Sequence, residues 1–296
     1  MLVVIAGSHG FIGTALVPHL RRSGHEVRIL VRAEAHGPAE IPWDPGTGRL
    51  DPHALAGADA VVNLAGVNVG SRPLTAARKR EVLSSRLLTT DLLSRTLASL
   101  DDRPRVLLQA SGIGAYGSRG DDVLDEGEPL GTTFFAGVVR RWEAATAPAQ
   151  DAEVRVVHLR TGIVLGQGGG ALGRLLPVLK AGLGGRLGSG RQFWPWITLV
   201  DEVRAIEHLL TAPVHGPVNL VTAPSRNAEV VAALARALHR PVVVPVPAFA
   251  LRAVLGDFSS EVLGSIRAVP AVLDASGFVP THGDLRSAAE WVARAR

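Results

Sequence analysis

The chain has 296 residues, 47% of them apolar and only 4% aromatic, which is enough for a full α/β core and a smaller second lobe. Its net charge of +4 comes from a basic set that is nearly all arginine, with Lys79 and Lys180 the only lysines. No basic run is dense enough to track nucleic acid, no cysteine offers disulfide or thiolate chemistry, and no apolar run reaches the roughly 18 residues of a membrane span.

Short β-branched runs alternate with helix-length segments through the first two-thirds. LVVIAG (2–7), EVRILVR (26–32), ADAVVNLAG (58–66), RVLLQAS (105–111) and VRVVHLR (154–160) read as strands buried on both faces. The opening MLVVIAG has neither a cationic lead nor a cleavage site, so it is expected to be the first strand, and the cytoplasm is the default location. Between the strands lie FIGTALVPHLRRSG, a long segment over 75–100, and a segment starting at Phe134. In the long one, Leu83, Leu87, Thr90, Leu93, Leu97 and Leu100 recur at helical spacing and predict one burial face, which covers the sheet or forms a homodimer seam. This alternation predicts right-handed β-α-β units in a doubly wound, Rossmann-like parallel sheet.

Beyond Thr161 the composition becomes glycine-rich, in GQGGGALGRLLPVLKAGLGGRLGSGRQFWPW. DEVRAIEHLL (201–210) reads as a sheet-packing helix and GPVNLV (216–221) as a last core strand. Amphipathic segments follow around 226–239, 247–256 and 284–295, with the apolar run PVVVPVP between the first two. The expected division is a cofactor domain over 1–164, with 195–222 returning to it. Residues 165–194 and 223–296 then form a smaller, partly interleaved substrate-side domain.

GSHGFIG, residues 7–13, follows the first strand and opens a helix with G-x-x-G-x-x-G spacing. Gly7 is expected to make the tight turn, Gly10 to let a pyrophosphate approach backbone N–H groups, and Gly13 to let helix and strand pack closely. Arg32 ends the second strand where an NAD enzyme places an acid for the ribose hydroxyl. An arginine there suits the 2′-phosphate of NADP, although Glu34 follows closely. Asn63, Leu64, Ala65 and Gly66 stand at the end of the third strand, where ligands of open α/β sheets bind. The glycines of GQGGGALG either bind a second phosphate or form a tight connection between lobes.

With these motifs in hand, the chain resembles the extended short-chain dehydrogenase/reductases. It is most similar to an atypical branch known as epimerase family proteins, or nucleoside-diphosphate-sugar epimerases, with a C-terminal domain of unknown function. GFIGTALVPHL, VVNLAG, ARKREVLSSRLLTT, YGSRGD, WEAA, LRTGIVLGQGGGAL, GLGGRLGSGRQF, WI, GPVNLV, ALARALHRPVVVPVPAFALRAVLG and LDASGF carry the resemblance in order along nearly the whole chain. It implies an NADP cofactor touched by Gly7, Ser8, His9, Gly10, Phe11, Ile12 and Gly13, and by Val31, Arg32, Asn63, Leu64, Ala65, Glu81, Arg86 and Val164. The chain departs from the branch at His9, where threonine is usual, at Ala115, usually aromatic, and at Thr198, usually histidine.

The wider superfamily moves its proton through Tyr-x-x-x-Lys, often with a glutamate eight residues after the tyrosine. Glu143 sets that register and puts Phe135 and Val139 at the two positions, where neither side chain can move a proton. Tyr116 is the single tyrosine, and Gly120 stands four residues after it. Ser111, Tyr116 and Asp122 are then the remaining catalytic candidates, with packing under the cofactor the alternative role for Tyr116. Arg191 and Trp196 are candidates to contact an unidentified small-molecule substrate. Two functions fit: an NADP-dependent oxidoreductase or epimerase with a non-standard proton relay, or a cofactor-binding sensor or interaction protein without catalysis.

Overall fold

The computed structural model describes residues 1–242 and 244–294. Val243 of the PVVVPVP run, the last residue of the expected 284–295 helix and the expected domain end at 296 lie outside the described residues. The strands are β1 (Leu2–Ala6), β2 (Glu26–Val31), β3 (Glu40–Asp44), β4 (Arg49–Leu50), β5 (Ala60–Asn63), β6 (Val106–Gly112), β7 (Val123–Leu124), β8 (Arg155–Thr161), β9 (Ile163–Leu165), β10 (Phe193–Trp194), β11 (Trp196–Thr198), β12 (Gly216–Leu220), β13 (Ser225–Arg226) and β14 (Arg267–Ala268). The helices are α1 (Gly13–Arg22), α2 (Ala76–Ala98), α3 (Phe134–Ala144), α4 (Ala147–Asp151), α5 (Leu172–Lys180), α6 (Leu199–Thr211), α7 (Asn227–Ala237), α8 (Ala248–Leu255), α9 (Ser259–Leu263), α10 (Ala271–Ala275) and α11 (Leu285–Arg294).

Eight strands form the central sheet in the order β12-β8-β6-β5-β1-β2-β3-β4, parallel except for the β3–β4 pair. The five strand runs read from the first two-thirds of the sequence, and GPVNLV, all lie in it. The edge hairpin β3–β4 was not foreseen, because EIPWDPGTGRL carries a proline in its first strand and only two residues in its second. Chain order reverses at β1, which has β2 on one side and β5 on the other, so a crevice opens at their carboxyl ends.

Both faces of the sheet are covered. On one, Val3, Ile5, Val62 and Leu108 pack with Leu16 and Leu20 of α1 and with Val203, Ile206 and Leu209 of α6. On the other, Val4, Val61 and Leu107 meet Leu93 and Leu97 of α2 and Ala149 of α4. The leucine face of α2 is therefore spent largely on the sheet. Of the residues expected on that face, Thr90 is buried but Leu83 and Leu87 are only half-buried, and Thr89, Ser94 and Thr96 are buried as well. Thr75, Thr133 and Thr198 start α2, α3 and α6, each accepting a backbone N–H of the first turn.

A separate core gathers Leu172, Leu176 and Leu179 of α5, Val230, Val231 and Leu234 of α7, and Ala288 and Val292 of α11. Two buried carboxylates tie the C-terminal segments to the sheet domain. Glu126 accepts the N–H groups of Asn219 and Val272, and Asp201 accepts those of Thr281 and His282. Among the described residues no helix is long and apolar enough to cross a membrane, and no cluster of potential metal ligands occurs.

Candidate functional site

A cleft of about 560 Å³ lies at the switch point, walled by Gly7, His9, Gly10, Val31, Arg32, Leu64 and Ala65 among others. Gly7 has φ +84°, and a Cβ there would stand 2.6 Å from the carbonyl carbon of Leu64, so β1 and β5 can end side by side only with glycine at this position. A Cβ on Gly13 would stand 2.3 Å from the carbonyl oxygen of Gly7, which fixes the close approach of α1 to β1. The N–H of Gly10 itself closes the turn onto the Gly7 carbonyl at 3.0 Å. Among the described residues, the N–H groups of Phe11, Ile12 and Gly13 are among those of this turn with no acceptor, and α1 begins with no side-chain cap. Four donors are orphaned at any helix start, so an uncapped end facing a cleft is suited to an anion.

Arg32 stands exposed on the rim, with no carboxylate paired to it among the described residues. Glu34, His36, Glu40 and Trp43 continue the wall, and Glu40 is engaged by the backbone N–H of His36 at 2.8 Å. This chemistry fits a dinucleotide: amides for a pyrophosphate, a cation for a terminal phosphate, and small residues where sugar and base must lie flat.

Several residues carried over by resemblance sit outside that wall. Asn63 is fully buried. It donates to Gln109 at 2.9 Å and accepts the Ala65 N–H at 3.1 Å, so its side chain shapes the turn after β5. The Glu81 carboxylate is held by Arg78 at 2.6 Å, and Val164 packs in the core on β9. Arg86 lies just behind the wall, its guanidinium against Gly66, donating to the Val67 carbonyl and resting 4.8 Å from the Trp142 ring. Burial, then the charge of Arg78, brings the pKa of Arg86 down to about 10, so it remains a cation at neutral pH. Three glycines of GQGGGALG pack on Phe11: a Cβ on Gly169 would stand 2.5 Å from its ring, and one on Gly166 or Gly170 3.0 Å from it. Ser8 is buried beside His9, its hydroxyl 3.2 Å from Nδ1.

The catalytic candidates fare differently. Tyr116 is fully buried. It donates to Asn219 Oδ1 at 2.8 Å and accepts from Arg160 at 3.0 Å, and its pKa is raised chiefly by burial. Its hydroxyl is thus held inside the protein, with its proton on Asn219. Ser111 is buried and donates to Glu143 Oε1 at 2.7 Å. Asp122 is on the surface beside Arg119. Trp196 is a core side chain, fully buried with its indole N–H on Ser225 at 3.0 Å, and cannot touch a substrate. Arg191 is exposed, with its carbonyl taken by Arg226.

A second cavity, of about 740 Å³, opens where α3 faces the C-terminal lobe. Phe134 and Phe135 form one side, Lys79 reaches in from α2, and Arg252, Asp257 and Glu261 come from the lobe. Lys79 pairs with Asp257 at 2.5 Å and lies 5.3 Å from the Phe134 ring. Val139 is buried in α3. Sequence reasoning missed Arg252, Asp257 and Glu261, which are brought here by tertiary packing with no local motif to mark them.

Fold and crevice together define a Rossmann-type α/β protein with an uncapped helix start at the switch point. The chain belongs to the NAD dependent epimerase/dehydratase family, which matches residues 3–221, and a domain of unknown function, DUF1731, matches residues 246–292. An epimerase family protein of Mycobacterium bovis is 44% identical over 290 residues, covering 97% of this chain and 96% of the relative. The crystal structure of human epimerase family protein SDR39U1 with NADPH superposes with a TM-score of 0.91 at 36% identity, covering 99% of both chains. A nucleoside-diphosphate sugar epimerase from Corynebacterium glutamicum matches at TM-score 0.81 and 32% identity, over 99% of this chain and 58% of that one.

Proposed function

We propose that the chain is an NADP(H)-binding enzyme of the extended short-chain dehydrogenase/reductase type. Its chemistry is hydride transfer at a carbinol or carbonyl carbon, as an oxidoreductase or a sugar-nucleotide epimerase. The observation that carries this reading is the unpaired Arg32 on the rim of a crevice that ends at the uncapped start of α1. The amides of Phe11 and Ile12 hold the pyrophosphate, Arg32 takes the 2′-phosphate, and Gly7, Leu64 and Ala65 let the nucleotide lie against the backbone. The bound cofactor supplies or accepts the hydride. The NADPH in the human relative's structure supports the choice of cofactor.

The second reading is a protein that binds the cofactor without turning it over. It is favoured by Phe135 and Val139, apolar residues at the positions of the superfamily's proton relay. The two are separated by mixing the purified chain with NADPH and a set of aldehydes and ketones, and separately with UDP-glucose and UDP-galactose. Loss of NADPH absorbance or interconversion of the sugars marks the enzyme. Tight NADPH binding without either result marks the sensor.

A further inference from the structure

The position left apolar by Phe135 is not without an acid nearby. Glu261, on α9, places Oε2 3.0 Å from the point where a Cβ on Gly114 would stand, and the Cβ of Phe135 lies 3.4 Å from that same point. Gly114 follows the carboxyl end of β6, three residues after Ser111. A carboxyl from the C-terminal lobe therefore enters the cavity beside the residue that stands in the superfamily's tyrosine position.

Its surroundings leave this carboxyl free for a ligand. No protein group hydrogen-bonds its oxygens among the described residues, in contrast to the engaged carboxylates of Glu126, Glu143 and Asp201. The other charged groups lining the cavity are Lys79 from α2, Arg252 from α8 and Asp257 from the turn after α8, with Lys79 and Asp257 paired to each other. From α3 the facing side chains are Phe134 and Phe135, and the hydroxyl of Tyr116 next to Gly114 is turned inward to Asn219.

We propose that Glu261 is the catalytic acid and base of this chain, exchanging a proton with the oxygen of a carbonyl or alcohol substrate held between α3 and the C-terminal lobe. The proposal rests on the reading of the chain as an NADP(H)-dependent oxidoreductase. In reduction, hydride from NADPH forms the new C–H bond at the carbonyl carbon and the C=O π pair moves to oxygen. The Glu261 proton passes to that oxygen. An alcohol, NADP and a carboxylate remain, and the carboxylate takes its next proton from water. Oxidation runs the same steps backwards, with Glu261 accepting the hydroxyl proton. Burial alone raises the pKa of Glu261 to about 7, which is where a group serving as acid and base at neutral pH works best.

The test uses the full chain as wild type, Glu261→Gln and Glu261→Asp. Carbon NMR of the glutamate carboxyls, without cofactor, is expected to find one group titrating near pH 7 that is missing in Glu261→Gln. NADPH oxidation is then followed with glyceraldehyde, benzaldehyde and menadione. Reductive kcat in the wild type should fall above about pH 7, as Glu261 loses its proton. Glu261→Gln should lower kcat by about 10²- to 10⁴-fold and abolish that limb, with NADPH affinity unchanged, and Glu261→Asp should recover part of the rate. If Glu261→Gln keeps the wild-type rate and limb, or removes no carboxyl titrating near pH 7, the proposal is overturned and the oxidoreductase reading stands. If the wild type oxidises NADPH with none of the three compounds and does not interconvert UDP-glucose and UDP-galactose, both are overturned.

Discussion

The Arg160 guanidinium holds both oxygens of Glu143, each at 2.9 Å, beneath the carboxyl end of the central sheet. The pair is almost entirely removed from water, and Ser111 and Tyr116 complete its hydrogen bonds. Burial pushes the Glu143 carboxyl up, but the hydrogen bonds and charge of Arg160 outweigh it and hold the pKa below the usual carboxylate range. Removing one partner leaves the other charge buried and unpaired, so Glu143→Ala should cost about 3–5 kcal/mol, read from urea unfolding at neutral pH. The wild-type contribution is present above the ordinary glutamate pKa. It is lost as pH falls through the lower, folded value.

Phe11 and Gly169 form an interlocked pair of the opposite, apolar kind. Gly169→Ala drives a methyl into the Phe11 ring and should cost about 1–3 kcal/mol. In a Phe11→Ala background, which removes the ring, the same substitution should cost much less. A double-mutant cycle by thermal or urea unfolding checks the coupling. Equal costs in both backgrounds would mean that the clash does not govern the glycine.

Glu202 is fully buried and accepts one hydrogen bond from Thr161 at 2.8 Å, and its other oxygen has no partner among the described residues. Burial raises its pKa to about 8. The folded state then keeps a proton that the unfolded chain has lost, so this group's contribution to stability falls as pH rises from the ordinary glutamate pKa towards 8. Glu202→Gln keeps the Thr161 contact and has no proton to lose. Its stability relative to wild type should therefore rise between pH 5 and pH 8, measured as the difference in urea midpoints.

Much of this was legible in the sequence because it is local. Six buried strands, the glycine turn and the basic tip of β2 each follow from residues within a few positions of one another. Chain order reverses at β1 because connection rules allow few alternatives once those strands are known. What escaped was set by partners far along the chain. Tyr116 looks like a proton donor until Asn219 and Arg160 are found on its hydroxyl, and Asn63 looks like a cofactor contact until Gln109 is found beside it. Trp196 reads as a crevice residue but is core, since a tryptophan beside prolines carries no sign of which side is covered. Glu261 lies in a short helix without a motif, and only the docking of the C-terminal lobe brings it to Phe135.

The central claim is that the crevice at the β1–β5 switch point is built for a 2′-phosphorylated dinucleotide, and calorimetry with NADPH and NADH tests it most directly. Charge-assisted hydrogen bonds contribute about 1.5–3 kcal/mol each, or about ten- to a hundredfold in affinity. Wild type should bind NADPH more tightly than NADH by that factor, and Arg32→Ala should lose the preference while NADH binding is unchanged. A full preference for NADPH surviving in Arg32→Ala, or equal affinity for the two in the wild type, would contradict it.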